Sequence, residues 1–285
     1  MSAGLQFRQL LTQHKPLPIA GAINAYAAML ARDAGFQALY LSGAGVANAS
    51  YGLPDLGFTT LDDVLIDAKR IIKAVDLPLL VDADTGFGDV KKTVESLEGI
   101  GAAGLHIEDQ QDRKRCGHRP GKFLVSTQDM CQRITEAVAA RKDNNFVIMA
   151  RSDALDNEGI DAVIARCQAY IAAGADMIFV DAVSSAEQYK RLTHELNRPV
   201  LANITEFGKT PLFTQKELHN MGIAMALYPL SAFRAMSLAA EHVYDMIIQM
   251  GSQHTVVDIM QTREELYATL DYYRYENEQS DSAKA

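Results

Sequence analysis

The sequence predicts an α/β protein built as a (β/α)8 barrel of the TIM type. At four helix-to-strand joins a Gly is followed by a few small or polar residues and then an apolar run; these begin at Gly35, Gly101, Gly174 and Gly222. Because Gly adopts the left-handed conformation after a helix without steric cost, each copy predicts a helix end followed by a strand. Eight apolar runs alternating with helix-length stretches predict a parallel sheet covered by helices, and eight such units match a closed barrel.

The predicted strands lie near residues 19–23, 38–42, 79–82, 104–107, 146–151, 177–180, 200–203 and 225–228. Prolines rather than Gly precede three of them: Pro16 and Pro18 before the first, Pro78 before the third and Pro199 before the seventh. Amphipathic helices are predicted between strands over 61–75, 129–141 and 160–172. A doubly wound open sheet is the alternative, but no GxGxxG pattern opens the first helix, so its commonest nucleotide signature is missing.

Two more amphipathic stretches follow the eighth strand, at 231–250 and 260–276. The second has more apolar area than a solvated terminal helix should show, with two leucines and four tyrosines. These helices could pack on the chain's own barrel or be exchanged with a neighbouring subunit, since large apolar patches mark interfaces. We therefore expect a single barrel domain over 1–285, C-terminal helices over 231–276 and a frayed tail over 277–285.

Composition excludes several classes of protein. The 285-residue chain is 48% hydrophobic, yet no apolar run approaches the roughly 20 residues that span a bilayer. The start of the chain lacks the apolar region of a secretory signal, and three cysteines without CxxC spacing fit a reducing cytoplasm. A net charge of -9 argues against nucleic acid as a partner. The sequence predicts a cytoplasmic protein that binds a small molecule and neither nucleic acid nor a membrane.

Polar side chains stand at most of the predicted strand ends, where the reactive groups of a (β/α)8 barrel lie. A single polar residue at such a position is usually a helix N-cap. Acidic residues at so many converging ends, with one Arg, instead predict a shared site. The residues are Asn24, Tyr40, Ser42, Asp82, Asp84, His106, Glu108, Asp109, Arg151, Ser152, Asp153, Asp181, Asn203, Thr205, Glu206 and Tyr228.

The third strand end carries a candidate metal pair, Asp82 and Asp84. If the strand continues through Ala83, both carboxylates point to the same side and can meet one hard cation. Mg²⁺ prefers one or two carboxylates together with waters and substrate oxygens. Glu108 could be a direct or water-mediated ligand, and Asp55 could hold a coordinated water.

Two alternatives to this magnesium site are open. Asp82 and Asp84 could cap the following helix and pair with Lys91 or Lys92. Zinc is not favoured, because His106, Cys116 and His118 are too few for a structural site. We expect His106 to be a hydrogen-bonded core histidine.

The segment Lys114-Arg115-Cys116-Gly117-His118 places a thiol among basic residues. From Arg113 to Lys122 there are five Lys or Arg residues and no carboxylate. A cationic surrounding favours thiolate, so the pKa of Cys116 should be lowered and the thiol ready for proton transfer. The alternative is an exposed loop Cys whose basic neighbours only solvate it.

From about Phe7 to Tyr275 the chain resembles the isocitrate lyase and phosphoenolpyruvate mutase superfamily, and within it most closely the 2-methylisocitrate lyases. The phrases that carry the resemblance occur in the same order along the chain. They include Tyr40-Leu-Ser-Gly-Ala-Gly45, Leu53-Pro-Asp-Leu-Gly57, Val81-Asp-Ala-Asp-Thr-Gly-Phe-Gly88, His106-Ile-Glu-Asp-Gln110, Lys114-Arg-Cys-Gly-His118, Met149-Ala-Arg-Ser-Asp153, Ala202-Asn-Ile-Thr-Glu-Phe-Gly208 and Tyr228-Pro-Leu-Ser-Ala-Phe-Arg-Ala-Met236.

The resemblance implies Mg²⁺-dependent cleavage of (2R,3S)-2-methylisocitrate to pyruvate and succinate, in the methylcitrate cycle of propionate catabolism. It also implies a homotetramer that exchanges terminal helices. Asp82 and Asp84 would hold Mg²⁺, with Asp55 and Glu108 in its outer shell. The catalytic candidates are Cys116, Tyr40, Lys114 and His118. The substrate-binding candidates are Ser42, Gly43, Ala44, Gly117, Arg151, Asp181, Asn203, Ile204, Thr205, Arg234 and Arg263.

A retro-aldol cleavage needs a base for the hydroxyl proton and an acid for the departing carbanion. Cys116 is the candidate acid. Tyr40 is the candidate base, with a phenol acidified by nearby cations, although a packed tyrosine is the alternative. Arg151, Arg234 and Arg263 can bind carboxylates in bidentate fashion.

Three departures from the family pattern bear on the site. Between Gly88 and Thr93 the chain is shorter by about four residues, close to one helical turn. Asp181 replaces a Glu, and Ala44 replaces a Gly. The rival enzymatic functions are an isocitrate or dimethylmalate-type lyase, since one methyl group is worth only ~1–3 kcal/mol of discrimination. A non-catalytic barrel is the other alternative.

Overall fold

Eight parallel strands close into a barrel, in sequence order, in the computed structural model, which describes residues 1–112, 114 and 121–282. The strands are β1 Leu17–Gly21, β2 Ala38–Leu41, β3 Leu79–Asp82, β4 Gly104–Glu108, β5 Val147–Ser152, β6 Met177–Val180, β7 Val200–Asn203 and β8 Met225–Tyr228. β1 pairs with β8 and so closes the barrel. The predicted fold is confirmed. β1 begins two residues earlier than predicted, because Leu17 already pairs with Met225.

Helices cover the outside of the barrel and one end. They are α1 Ala3–Gln13, α2 Ala25–Asp33, α3 Gly43–Gly45, α4 Leu61–Ala74, α5 Val90–Gly99, α6 Thr127–Ala140, α7 Leu155–Ala172, α8 Ala186–Glu195, α9 Gln215–Asn220, α10 Ser231–Met250, α11 Arg263–Leu270 and α12 Tyr272–Ser282. A π-helical turn, Val46–Ser50, extends α3, and a 3-10 helix, His254–Ile259, precedes α11.

Two departures from the predicted helices have local causes. α7 contains a kink at Gly159, whose φ of 78° lies in the left-handed region, so only the part from residue 160 shows helical periodicity in the sequence. The stretch predicted as one helix over 260–276 is broken at Asp271, which is left-handed. Residues 277–282, expected to fray, continue α12.

The core has two layers. Alternate strand side chains such as Ile19, Leu80 and Met149 fill the barrel interior, and α1 closes its lower end with Phe7 and Leu10. A larger layer lies between the strands and the surrounding helices. The polar strand ends are therefore held at the open end of a rigid, packed cylinder.

α10 departs from the usual barrel arrangement, since none of its residues is buried in the single chain. Where a helix following β8 would pack, an apolar groove of about 400 Å³ remains open. It is lined by Ala20, Gly21, Ala27, Leu30, Ala31, Ala34, Phe36, Gln215, Tyr228, Ser231, Ala232 and Met236. The first turns of α10 lie at one side of this groove, through Ser231, Ala232 and Met236, and both alternatives for the C-terminal helices stay predictions.

The segment around α11 does contact the chain's own barrel, because Gln261 accepts a hydrogen bond from the Tyr26 hydroxyl of α2 at 2.5 Å.

Nowhere in the described ranges is there a helix of the length and apolarity that crossing a membrane requires.

Candidate active site

A cavity of about 200 Å³ opens at the carboxyl ends of the strands. Most of the predicted site residues line it: Tyr40, Ser42, Ala44, Asp55, Asp82, Glu108, Lys114, Arg151, Asp181, Asn203, Thr205 and Arg234. The polar strand ends therefore converge as the sequence predicts. Asn24 is different: it caps α2 by accepting a hydrogen bond from the backbone N–H of Ala27.

The two aspartates of the metal pair meet, although not by strand geometry. β3 ends at Asp82, and Asp84 is left-handed with a φ of 47°. Their carboxylates converge beside Gly43: a Cβ placed on that residue would lie 3.0 Å from Asp84 Oδ1 and 3.3 Å from Asp82 Oδ2. The helix-capping alternative is wrong, because Asp89 caps α5 by accepting from the Lys92 backbone N–H.

The two carboxylates differ in their electrostatics. Burial acts to raise the pKa of Asp82, but His106, Lys114, Arg151 and the backbone N–H of Gly43 together hold that pKa well below its usual value. Burial raises the pKa of Asp84 to about 7, against the opposing charge of Lys114. The site thus keeps one permanent negative charge and one that depends on the cation nearby.

Lys114 is the cation nearest to Asp84. Its ammonium contacts Asp84 directly and lies 2.7 Å from Asp55 Oδ1. The side chain is buried, and the pKa stays well above its usual value because burial is outweighed by the carboxylates, Asp84 foremost. Lys114 therefore neutralises the aspartates from the position where a metal ion would be expected.

The donor set fits Mg²⁺. Asp82 and Asp84 supply two carboxylates, and Glu108 Oε1 is buried without a hydrogen-bond partner in the described part of the chain. Such an oxygen is placed to accept from a metal-bound water. Among the described residues no cluster of three or more His, Cys, Asp or Glu side chains could hold a metal ion. A site of two carboxylates and waters is what Mg²⁺ uses.

His106 and Tyr40 form a buried pair inside the barrel. The Tyr40 hydroxyl lies 2.8 Å from His106 Nε2, and the two rings are stacked. Burial lowers the pKa of His106 to about 4, so the ring is neutral at pH 7. This confirms the core histidine that the sequence predicts.

The expected acidification of Tyr40 is wrong. Burial, and then the Asp82 carboxylate, raise the pKa of its phenol well above the usual value, because the nearby cations are outnumbered by carboxylates. His106 Nδ1 has no hydrogen-bond partner among the described residues, so a proton on Nδ1 would be a buried donor without an acceptor. We therefore assign the proton of the neutral ring to Nε2, which faces the Tyr40 hydroxyl. Tyr40 then accepts from His106 and can donate its own proton into the cavity.

Arg151, at the end of β5, is surrounded by carboxylates. Its Nη2 donates to Asp153 at 3.1 Å and to Asp181 at 2.9 Å, while Nε lies 3.5 Å from Glu108 without making a hydrogen bond. The guanidinium also stacks over the Phe179 ring at 5.0 Å. Burial is outweighed by these carboxylates, Asp153 foremost, and the pKa of Arg151 is raised further.

β7 supplies another part of the wall. Asn203 Nδ2 donates to Asp181 Oδ1 at 3.0 Å, which orients the shorter carboxylate that replaces a Glu in the family pattern. Thr205 lines the cavity, and Ile204 is buried behind it. Gly43 lies next to Ser42 and Ala44 and donates its backbone N–H to Asp82 at 3.0 Å.

The other two predicted arginines differ in position. Arg234, on α10, lies at the rim of the cavity, half exposed and 3.9 Å from Glu206. Arg263 is exposed at the start of α11 and is not among the residues that line the cavity of the single chain. Cys116, Gly117 and His118 lie outside the described residues, so the predictions for the thiol segment stay predictions.

Sequence reasoning missed one polar and four apolar wall residues: Asn48, Phe179, Leu227, Pro229 and Leu230. Phe179 and Leu227 belong to apolar strands, and the sequence does not distinguish an apolar residue that lines a cavity from one that packs in the core. Pro229 and Leu230 follow directly after the eighth strand, and this position is the signal that could have found them.

The chain matches the family model of phosphoenolpyruvate phosphomutase over residues 7–248. The 2-methylisocitrate lyase of Escherichia coli (strain K12) is 58% identical over 279 residues, covering 96% of this chain and 94% of that protein. The crystal structure of 2,3-dimethylmalate lyase superposes with a TM-score of 0.91 at 32% identity, covering 99% and 96% of the two chains.

Phosphonopyruvate hydrolase in complex with oxalate and Mg²⁺ superposes with a TM-score of 0.86 at 26% identity, covering 98% of this chain and 99% of that one. The resemblance read from the sequence is confirmed. The chain belongs to the phosphoenolpyruvate phosphomutase family, within the isocitrate lyase and phosphoenolpyruvate mutase superfamily, and is an enzyme, a lyase.

Proposed function

We propose that this lyase cleaves (2R,3S)-2-methylisocitrate to pyruvate and succinate with the help of Mg²⁺. One observation carries the proposal: Asp82 and Arg151 line the same small cavity, and the Asp84 carboxylate converges with that of Asp82 beside Gly43. The pair suits a hard cation and the arginine suits a carboxylate. The name of the E. coli relative supports the choice of substrate.

The charge balance of the site supports a divalent cation. Asp82, Asp84, Glu108 and Asp181 are buried together, against the two cations Lys114 and Arg151. Burial raises the pKa of Glu108 well above its usual value, so the carboxylates lack enough positive charge to remain ionised together. A further bound cation would offset the charge of these carboxylates when ionised and of a tricarboxylate substrate.

The reaction breaks one carbon–carbon bond of the substrate. The hydroxyl proton passes to a base, the hydroxyl oxygen becomes the pyruvate carbonyl, and the bonding electrons remain on the succinate carbon, which takes a proton from an acid. Mg²⁺, when bound, would act as a Lewis acid for the oxygen that becomes the pyruvate carbonyl.

The chain's own residues bind and orient the rest of the substrate. Arg151 lines the cavity, and its hydrogen bonds to Asp153 and Asp181 both use Nη2, so the rest of the guanidinium can take a substrate carboxylate. Arg234 at the rim can take a second one. Tyr40, with its raised pKa, serves as a hydrogen-bond donor toward the forming oxyanion rather than as the base.

Cys116 is the acid in this proposal, on the sequence argument that its basic neighbours keep it ready for proton transfer. Lys114 is assigned to hold the aspartates until the cation binds. His118 remains a candidate from the same basic segment.

The open groove beside β1 and β8 supports an exchanged-helix assembly. α10 leaves this groove unfilled while exposing Leu238, Tyr244, Ile248 and Met250 to solvent in the single chain. The α10 helix of a second copy carries the exposed apolar side chains that could fill this apolar groove. If each copy placed its α10 in the groove of the other, the exchange would form a closed dimer. Two such dimers would give the expected homotetramer. Sedimentation of wild type and Ala31→Glu, which puts a charge in the groove, tests this assembly.

Release of the oxo-acid product, which is pyruvate from 2-methylisocitrate and 2,3-dimethylmalate but glyoxylate from isocitrate, is measured with and without EDTA and tests the function. We expect the highest kcat/KM for 2-methylisocitrate and loss of turnover in EDTA that added Mg²⁺ restores. Equal or better rates on either rival substrate would overturn the substrate assignment. Full activity in EDTA would overturn the metal assignment.

A further inference from the structure

Asp153 lies behind Arg151, away from the cavity. It is fully buried and is not among the lining residues. Each of its carboxylate oxygens has a separate partner: Oδ1 accepts from Arg151 Nη2 at 3.1 Å, and Oδ2 accepts from Gln110 Nε2 at 3.1 Å. A carboxylate held at both oxygens has a fixed plane, so it presents a fixed acceptor to the guanidinium.

The backbone of Asp153 is fixed as well. Its N–H donates to Asp109 Oδ1 at 2.9 Å, and the other oxygen of Asp109 accepts from the hydroxyls of Ser152 at 2.7 Å and Tyr170 at 2.9 Å. Asp109 is fully buried too. This network anchors the end of β5 to β4 and to α7, so Asp153 cannot follow a moving Arg151.

We propose that Asp153 is the positioning residue of Arg151. It holds the guanidinium at the back of the cavity so that the remaining donors face a carboxylate of the substrate. The inference rests on the proposed function, in which Arg151 binds substrate.

The arrangement of the competing carboxylates explains why such a residue is needed. Asp181 and Glu108 line the cavity and also lie within reach of the guanidinium, at 2.9 and 3.5 Å. Without Asp153, the attraction of these two groups is unopposed, and the arginine would turn toward them. A displacement of about 1 Å at a binding group can cost about 100-fold in rate.

The test uses Asp153→Asn, which keeps the shape of the side chain and removes its charge, in the full-length enzyme loaded with Mg²⁺. We expect kcat/KM to fall about 10- to 100-fold, mainly through KM, and the inhibition constant of succinate to rise by a similar factor. Asp176→Asn is the matched control. Asp176 also pairs with two arginines, Arg8 and Arg141, but at the closed end of the barrel. It should lose stability without a change in KM.

A double-mutant cycle separates positioning from general destabilisation. If Asp153 acts through Arg151, then Asp153→Asn should add less than a twofold change in KM to an Arg151→Met enzyme. Additive effects of the two substitutions would overturn the proposal. An equal change of KM in Asp176→Asn would overturn it as well.

A crystal structure of Asp153→Asn gives an outcome that does not depend on turnover. We expect the Arg151 guanidinium to move toward Asp181 and Glu108; an unmoved guanidinium would refute the positioning role. If the wild type cleaves none of the three substrates, the proposed function fails, while this structure still decides the role of Asp153.

Discussion

Replacing Gly43 with alanine should loosen the proposed Mg²⁺ site without harming the fold. The added Cβ would lie 3.0 Å from Asp84 Oδ1 and 3.3 Å from Asp82 Oδ2, so both carboxylates must withdraw by a few tenths of an ångström. Mg²⁺ demands near-ideal octahedral geometry at about 2.1 Å. Disturbing the groups that orient metal ligands typically costs about 10- to 100-fold in affinity, or roughly 1.4–2.8 kcal/mol.

Gly45 provides a matched control on the same short helix. A Cβ there would meet Ile23 Cγ2 and Leu230 Cδ2 at 3.4 Å, which is ordinary van der Waals contact. Neither glycine has a positive φ, so neither substitution strains the backbone. Both should leave the unfolding temperature in EDTA unchanged or slightly higher, because alanine reduces the entropy of the unfolded chain.

The assay is isothermal titration of the metal-free enzyme with Mg²⁺, together with the shift of the unfolding temperature by Mg²⁺. We expect Gly43→Ala to weaken binding at least tenfold and Gly45→Ala to change it less than twofold. Wild-type affinity in Gly43→Ala would refute the placement of the metal between Asp82 and Asp84. Equal loss in both variants would show that the short helix, rather than the carboxylate pair, is responsible.

Three further predictions concern the same site. Lys114→Met should bind Mg²⁺ at least tenfold more tightly while turning over more slowly, because the Lys114 ammonium of the wild type competes with the ion for Asp84. Titration with Mg²⁺ checks this, with Lys92→Met, a change to a lysine outside the carboxylate cluster, as the control. Weaker binding by Lys114→Met would contradict the prediction. Because the pKa of Asp84 is about 7, a proton competes with Mg²⁺ below that pH, so the dissociation constant should rise up to about tenfold per unit as pH falls below 7 and level off above it. A dissociation constant that does not change between pH 6 and pH 8 would contradict the competition between a proton and Mg²⁺ at this carboxylate. Cys116→Ser should keep Mg²⁺ affinity and lower turnover by about 100-fold or more, as expected for loss of an acid; near-normal turnover would remove the thiol from the mechanism.

The sequence by itself determined the barrel. Seven of the eight strands begin within one residue of their predicted positions. A Gly or Pro before an apolar run marks the start of a strand, and this pattern involves only residues that are adjacent in the sequence. It also placed Asp82, Glu108 and Arg151 together, since the carboxyl ends of parallel strands in a barrel meet at one end.

The tertiary structure decided how those residues behave. Asp84 meets Asp82 through a left-handed turn rather than by strand alternation, and Tyr40 has a raised rather than a lowered pKa. The pKa of Tyr40 depends on burial and on charges that come from distant parts of the chain, such as Asp82 and Asp181. No local pattern records which groups share a small volume of low dielectric, and that volume exists only once the barrel has closed.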